Sequence, residues 1–159
     1  MSRAAVSNTW SRLSKQQLGK YAEYFVKMRF TLQGFSVYTP EIDDRSIDFV
    51  VSPPKSERFL QVQVKSTRGP GYAFVVKRLF SPSEKRLIAL AVFNESEVPD
   101  LYLIPSTVWN TPDKCFVSRD FGPGRKSEPE WGIEATKRHL ADRLQAYRFE
   151  HQAHLLNAV

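Results

Sequence analysis

Residues 46–66 read SIDFVVSPPKSERFLQVQVKS, and the fold turns on how this stretch pairs. Ile47 to Ser52 and Phe59 to Ser66 are rich in Val, Ile and Phe, which predicts two β-strands. The Pro53-Pro54-Lys55-Ser56-Glu57 connection is too short for a crossover helix, so the two strands must form an antiparallel hairpin. Side chains two apart on a strand point to one face. Leu60, Val62 and Val64 therefore face one way, and Gln61, Gln63 and Lys65 the other. In the preceding strand Ile47, Phe49 and Val51 share a face, while Asp48 opens the opposite one. Paired as a hairpin, the strands bring Asp48, Gln63 and Lys65 to a single polar face. Any half-exposed strand alternates in this way, so the pattern alone leaves a solvated face and a functional one both open.

Upstream, the spacing predicts a helix from Ser14 to Gln33. Ser14 and Gln17 make a capping box, and Gly34 stands where a helix ends. Leu18, Ala22, Phe25, Arg29 and Leu32 form its expected apolar stripe, widened by Tyr21 and Val26. Phe35 to Tyr38 reads as a short strand stopped by Pro40. Downstream, strands are expected at Tyr72–Val76, Leu87–Phe93 and Asp100–Ile104, then a helical turn from Pro105-Ser106 to Trp109. Residues 119–130 read as an exposed loop, and Glu134 to Phe149 as a last helix with Leu140, Leu144 and Tyr147 on its apolar face. The fold class is α/β, in the sense of an α+β mixed sheet with helices packed on it.

The 159 residues carry a formal charge of +6, with 42% hydrophobic residues, 25% charged residues and one cysteine. That composition is ordinary for a globular protein and excludes a disulfide framework or a Cys-rich zinc site. The longest apolar run, Leu87 to Phe93, is too short to span a membrane. Residues 1–12 hold two Arg and no apolar core, so no secretory leader is expected and the expected location is cytoplasmic. The charge is uneven: +5 over residues 1–33, −3 over 41–48 and +6 over 55–86. An acidic stretch between basic ones suits a metal-dependent site acting on a phosphate polyanion, though ordinary solvated faces give the same counts.

A hard cation such as Mg²⁺ takes oxygen ligands in an octahedral shell. Asp48 can supply a carboxylate oxygen, Gln63 an amide oxygen and Val64 its backbone carbonyl. Lys65, beside them, can orient or help deprotonate a water, or stabilise charge building on a phosphate.

Gly19-x₃-Glu23 on the first helix, Gly34-Phe35 entering a strand, Ile47-Asp48-Phe49 and Val62-Gln63-Val64-Lys65-Ser66 resemble the PD-(D/E)XK nuclease superfamily. The likeness is to its Holliday-junction-resolvase-like and Mrr-like branches, and to an uncharacterised microbial domain-of-unknown-function group with a Gln-Val-Lys-Ser motif. Leu101-Tyr102-Leu103-Ile104-Pro105-Ser106 and Trp131-Gly132-Ile133 also look like that group. The resemblance implies a restriction-endonuclease-like α-β-β-β-α-β core and Mg²⁺-dependent hydrolysis of phosphodiester bonds, with Mn²⁺ as a substitute ion. It implies a catalytic set of Asp48, Gln63, Lys65 and Glu23, with Asp48, Gln63, Val64 and Glu23 holding metal. Two departures stand out. Gln63 replaces the usual acid, as it does in the Mrr-like branch, and removes one negative charge. Ser46-Ile47-Asp48 lacks the Pro before the Asp.

The expected organisation is an N-terminal tail at 1–13, one nuclease-like domain at 14–150, and a tail or helix extension at 151–159. The expected partner is nucleic acid, DNA in preference to RNA, with no membrane and with a homodimer as the economical assembly. Lys15, Lys20, Gln61, Arg68, Lys77 and Arg78 flank the site in sequence and are candidate nucleic-acid contacts. Each reads equally as a surface charge or polar edge residue. Tyr72 and Phe74 could stack on bases or belong to the core. Asp43 and Asp44 could join the metal site or lie in a solvated loop. His151 and His154 lack a third ligand, and Cys115 reads as a small buried hydrophobe. The expected function is a metal-dependent endonuclease acting on DNA. The alternative is a nuclease-fold module that binds nucleic acid or a partner with weak or no catalysis.

Overall fold

Ser14 starts the structure's longest helix as the capping box requires. Its hydroxyl accepts the Gln17 N–H at 3.1 Å, and its own N–H donates to Gln17 Oε1 at 2.8 Å. The computed structural model describes residues 10–42, 46–96 and 98–158, so Asp43 and Asp44 lie outside the described residues. Helix α1 (Lys15–Leu32) is followed by β1 (Ser36–Tyr38), β2 (Phe49–Ser52), β3 (Leu60–Arg68), β4 (Gly71–Val76), β5 (Arg86–Phe93) and β6 (Asp100–Pro105). Then come β7 (Phe116–Arg119), β8 (Glu130–Ala135), α2 (Lys137–Ala141) and α3 (Phe149–Asn157), with short 3₁₀ turns between several elements. No helix among the described residues is long and apolar enough to cross a membrane.

Two sheets form among the described residues: a mixed central sheet ordered β1-β2-β3-β5-β6, and a small antiparallel one ordered β4-β8-β7. β2 and β3 make the expected antiparallel hairpin, with Phe49 opposite Val62 and Val51 opposite Leu60. β3 and β5 run parallel over their whole length, and β6 closes the far edge antiparallel. The α-β-β-β-α-β order holds except at one place. The chain passes from β3 to its parallel partner β5 through β4 and the 3₁₀ turn Lys77–Leu79, not through a helix.

Central strand β5 separates two cores. Leu87, Ala89, Ala91 and Phe93 face α1 and α3, while Ile88, Leu90 and Val92 face the small sheet. That double burial explains why the run from Leu87 to Phe93 shows no polar alternation. α1 buries Leu18, Ala22, Val26 and Phe30, a straight i+4 row, rather than the row ending in Leu32, which is 76% exposed. Phe30 is the hub of this layer: its ring meets Phe35, Phe49 and Phe149 edge-on at 5.1, 6.0 and 4.9 Å.

The C-terminal third departs most from the sequence reading. Glu130–Ala135 is a strand, with Ile133 and Ala135 buried against the second core. The helix expected over 134–149 is broken into α2 and the 3₁₀ turn Arg143–Tyr147. Only from Phe149 does a regular helix run, burying Phe149 and Ala153 on the first core. Arg148, at the junction, makes an isolated bridge to Tyr102 of β6, which pins the chain in an extended turn there.

The β2–β3 connection turns on Pro53-Pro54-Lys55-Ser56, where the Ser56 N–H donates to the Pro53 carbonyl at 3.2 Å. Lys55 adopts φ 58°, a left-handed conformation that an L-residue reaches at a cost of about 1–2 kcal/mol. Lys55→Gly relieves that strain and gives back about 0.5–1 kcal/mol in unfolded-chain entropy, a net gain of about 0.5 kcal/mol. Lys55→Val, β-branched at positive φ, is expected to destabilise by more than about 1 kcal/mol. Urea unfolding of the two variants should move the midpoint in opposite directions.

Candidate active site

Past the Phe49–Val62 pair, β2 stops pairing with β3, and Asp48 takes over the hydrogen bonding with its own groups. The Asp48 N–H donates to the Val62 carbonyl at 2.9 Å, and the Asp48 carboxylate accepts the Val64 N–H at 2.6 Å. The carboxylate thus substitutes for the next main-chain acceptor of the ladder, a short charge-assisted bond that fixes its orientation. Extending the register sets Asp48 opposite Gln63. Phe49, Val62 and Val64 belong to the α1-side core, so alternation turns Asp48, Gln63 and Lys65 to the other face.

Two further oxygens belong to this strand end. The Val64 carbonyl lies two residues along from that of Val62 and points to the same side, where β2 no longer pairs. Gln63 Nε2 approaches it at the long limit of 3.5 Å. Gln63 Oε1 is buried and has no hydrogen-bond partner among the described residues. An orphaned buried amide oxygen costs about 1–3 kcal/mol, a cost that a hydrogen-bond donor or a cation at this position relieves. Among the described residues no group of three or more His, Cys, Asp or Glu side chains is placed to hold a metal. An ion seated here would therefore rest on one carboxylate, one amide oxygen and one backbone carbonyl. All three are hard oxygen donors of the kind Mg²⁺ takes.

Lys65 is mostly buried between the sheets, its Nζ 6.0 Å from the centre of the Phe74 ring. Burial lowers its pKa, Lys15 pushes it down further, and Asp48 opposes both. Its ammonium therefore gives up a proton more readily than an ordinary lysine. Lys15 and Lys20 stand on the exposed start of α1, and both feel this site. The Lys20 pKa is raised first by Glu23 and in smaller part by Asp48. Glu23 holds Lys20 at 3.1 Å and Lys27 at 3.4 Å, and Lys27 lies over the Phe49 ring at 5.5 Å. Glu23 thus pairs with two lysines of its own helix.

The remaining candidates sit in other local networks. Gln61 Oε1 accepts from Arg86 Nε at 2.9 Å. Arg68 donates to the Trp10 carbonyl at 2.6 Å and to the Leu13 carbonyl, tying the segment before α1 to the end of β3. Lys77 bonds Ser118 at 2.6 Å and Asp120 at 3.1 Å, over the Trp131 ring, and Arg78 pairs with Glu128 at 2.8 Å. His151 and His154 are exposed on α3. The Cys115 thiol is buried, and that burial pushes its pKa up to about 12. Sequence reasoning left Phe74 between two readings and did not place it beside Lys65. Its alternation with buried Ala73 and Val75 was the available signal.

No family model matches the chain, and neither does any curated protein sequence. Among solved structures, the bacterial homing endonuclease I-Ssp6803I is similar at a TM-score of 0.55 and 23% identity, covering 91% of this chain and 92% of that one. The Holliday junction resolvase Hjc of Archaeoglobus fulgidus is similar at 0.52 and 10% identity, covering 86% and 95%. Both have the restriction-endonuclease-like PD-(D/E)XK nuclease fold, and the mixed central sheet with flanking helices described above is that fold.

Proposed function

We propose that this chain is a divalent-metal-dependent endonuclease that hydrolyses phosphodiester bonds in DNA. The observation that carries the reading is the buried Gln63 Oε1, without a hydrogen-bond partner among the described residues, on the strand position opposite Asp48, whose carboxylate holds the Val64 N–H, and two residues from a largely buried lysine on the same strand. Asp48, Gln63 and Val64 would hold Mg²⁺, or Mn²⁺ in its place, with Glu23 reaching it through water once released from Lys20 or Lys27. The ion, when bound, supplies positive charge that polarises the scissile phosphate and acidifies a water. Asp48, clamped by the Val64 N–H, keeps the acceptor in place. Lys65 holds the attacking water by a hydrogen bond and, with its lowered proton affinity, serves the proton transfer. Lys15 and Lys20 offer cations to the neighbouring phosphates. DNA as the substrate rests on those cations and on the DNA-directed names of the two structural neighbours. One such site cuts one strand, so double-strand cleavage calls for a homodimer.

The test is relaxation of supercoiled plasmid by purified protein with Mg²⁺, abolished by EDTA, together with calorimetric titration of Mg²⁺ alone. A second reading has one observation in its favour: the neutral Gln63 leaves a single carboxylate to hold the ion. A binding module without catalysis retards DNA in a salt-dependent way and shows neither Mg²⁺ heat nor nicking.

Gln63→Glu separates the two. A second carboxylate beside Asp48 repels it when no cation is present, so in EDTA the melting temperature is expected to fall. Mg²⁺ neutralises the pair and restores it, and the Mg²⁺ midpoint for nicking is expected to drop by about tenfold as ligand charge rises. Differential scanning calorimetry with and without Mg²⁺ reads the first effect, and plasmid nicking across a Mg²⁺ series the second.

A further inference from the structure

The outer face of the small sheet carries a row of side chains, Phe74, Tyr72 and Arg119, whose Phe74 end approaches Lys65 of the central sheet. Ala73 and Val75 of β4 point into the second core, so Tyr72 and Phe74 point outward. Phe74 is 46% exposed, an unusual state for a strand phenylalanine with a core within reach. Its ring centre lies 6.0 Å from Lys65 Nζ. It stacks on Tyr72, centre to centre 6.0 Å and 20° from parallel. Arg119 of β7 then lies over the Tyr72 ring at 4.1 Å.

Tyr72 is locked in place. Its hydroxyl donates to the buried Glu130 carboxylate, and its ring crosses Gly132, where a Cβ would overlap it. Arg119 is held over the ring by Glu134. Tyr72 and Arg119 are therefore held in place, and Phe74 beside them is partly exposed, with a cation near each end of the row and the candidate active site next to it.

We propose that Phe74, backed by Tyr72, stacks an unpaired base of the DNA next to the scissile phosphate, so that the site prefers DNA with a single-stranded segment over continuous duplex. This rests on the nuclease reading above and narrows its substrate class. An intact duplex keeps its bases stacked inside the helix and offers Phe74 only sugar and phosphate edges. A single strand presents base faces, which aromatic side chains take regardless of sequence. Its backbone phosphates fall to Lys65 at one end and Arg119 at the other. The two cations that flank the aromatic pair, Lys65 and Arg119, suit a phosphate-bearing strand and not an apolar protein partner.

The experiment measures equilibrium binding by fluorescence anisotropy, in EDTA so that nothing is cut, of labelled dT15 and of a labelled 15-base-pair duplex. Phe74→Ala is expected to weaken dT15 binding by about tenfold while leaving duplex binding within twofold, and Phe74→Trp to retain the parent affinity for both. Equal weakening for both probes, or no weakening for dT15, overturns the proposal. The two readings fail separately. Plasmid nicking that survives while Phe74→Ala leaves dT15 binding untouched removes the stacking site and keeps the nuclease. Absent nicking with selective loss of dT15 binding removes the nuclease and keeps the stacking site.

Discussion

Asp48→Asn is expected to cut Mg²⁺-dependent cleavage by about a thousandfold or more while the protein stays folded. The carboxylate has two separable jobs. Its oxygen caps the Val64 N–H at 2.6 Å, and its charge would hold the ion. Asn keeps an oxygen for the first job and loses the charge needed for the second. Exchanging a charged acceptor for a neutral one costs about 1 kcal/mol, or about 2–4 °C in a domain of this size. Losing the ion removes several kcal/mol of transition-state stabilisation, and each 1.4 kcal/mol is tenfold in rate. The calorimetric Mg²⁺ signal should vanish with the activity. Asp48→Ala is the control for geometry: it strands the Val64 N–H at the ladder's end and is expected to cost a further 1–3 kcal/mol, roughly. Cleavage by Asp48→Asn within tenfold of the parent would remove Asp48 from the metal site.

The local half of this architecture is legible in the sequence because its signals are short-range. Ser14 and Gln17 mark the start of α1, alternation from Leu60 to Lys65 marks β3, and the short Pro-rich link forces the hairpin. From those alone Asp48, Gln63 and Lys65 fall on one face, and the observed register agrees. What the sequence hid is set by partners far along the chain. β4 pairs with β8, with Gly71 opposite Ala135, and nothing local in either strand names the other. Leu140, Leu144 and Tyr147 mimic helical spacing, yet Asp142 at φ −124°, ψ −80° breaks the run and Leu144 is buried from a 3₁₀ turn instead. Arg68 looked like a phosphate contact because charge is visible in a sequence, whereas the Trp10 and Leu13 carbonyls that receive it are not. The orphaned Gln63 Oε1 belongs to the same class of fact, since satisfaction of a side chain is a property of tertiary geometry.

Lys65→Met is expected to lose cleavage by about 10²–10⁴-fold, the range over which positioned acid–base groups act, and at the same time to make the protein more stable. The two effects share one cause. Burial beside Phe74 lowers the lysine's proton affinity, which suits proton transfer, and the same burial makes its charge a cost of folding. Methionine fills a similar volume without the charge, so in EDTA the melting temperature should rise by about 2–4 °C, the shift that ~1 kcal/mol produces in a chain of this length. The sign follows from linkage. With a folded-state pKa below the ordinary 10.5, the unfolded chain binds more protons between the two values, so the parent gains stability as pH rises through that interval. Below it the penalty is full, and above it both states are neutral. The advantage of Lys65→Met should therefore be greatest at pH 7 and fade as pH passes 10.5. Unlike Asp48→Asn, this variant keeps every proposed oxygen ligand, so Mg²⁺ heat should persist while nicking disappears. A variant that binds Mg²⁺ and still cuts at the parent rate would show that Lys65 serves neither water nor phosphate. One that melts earlier would show that the ammonium is stabilised where it lies, and that the strained-lysine account is wrong.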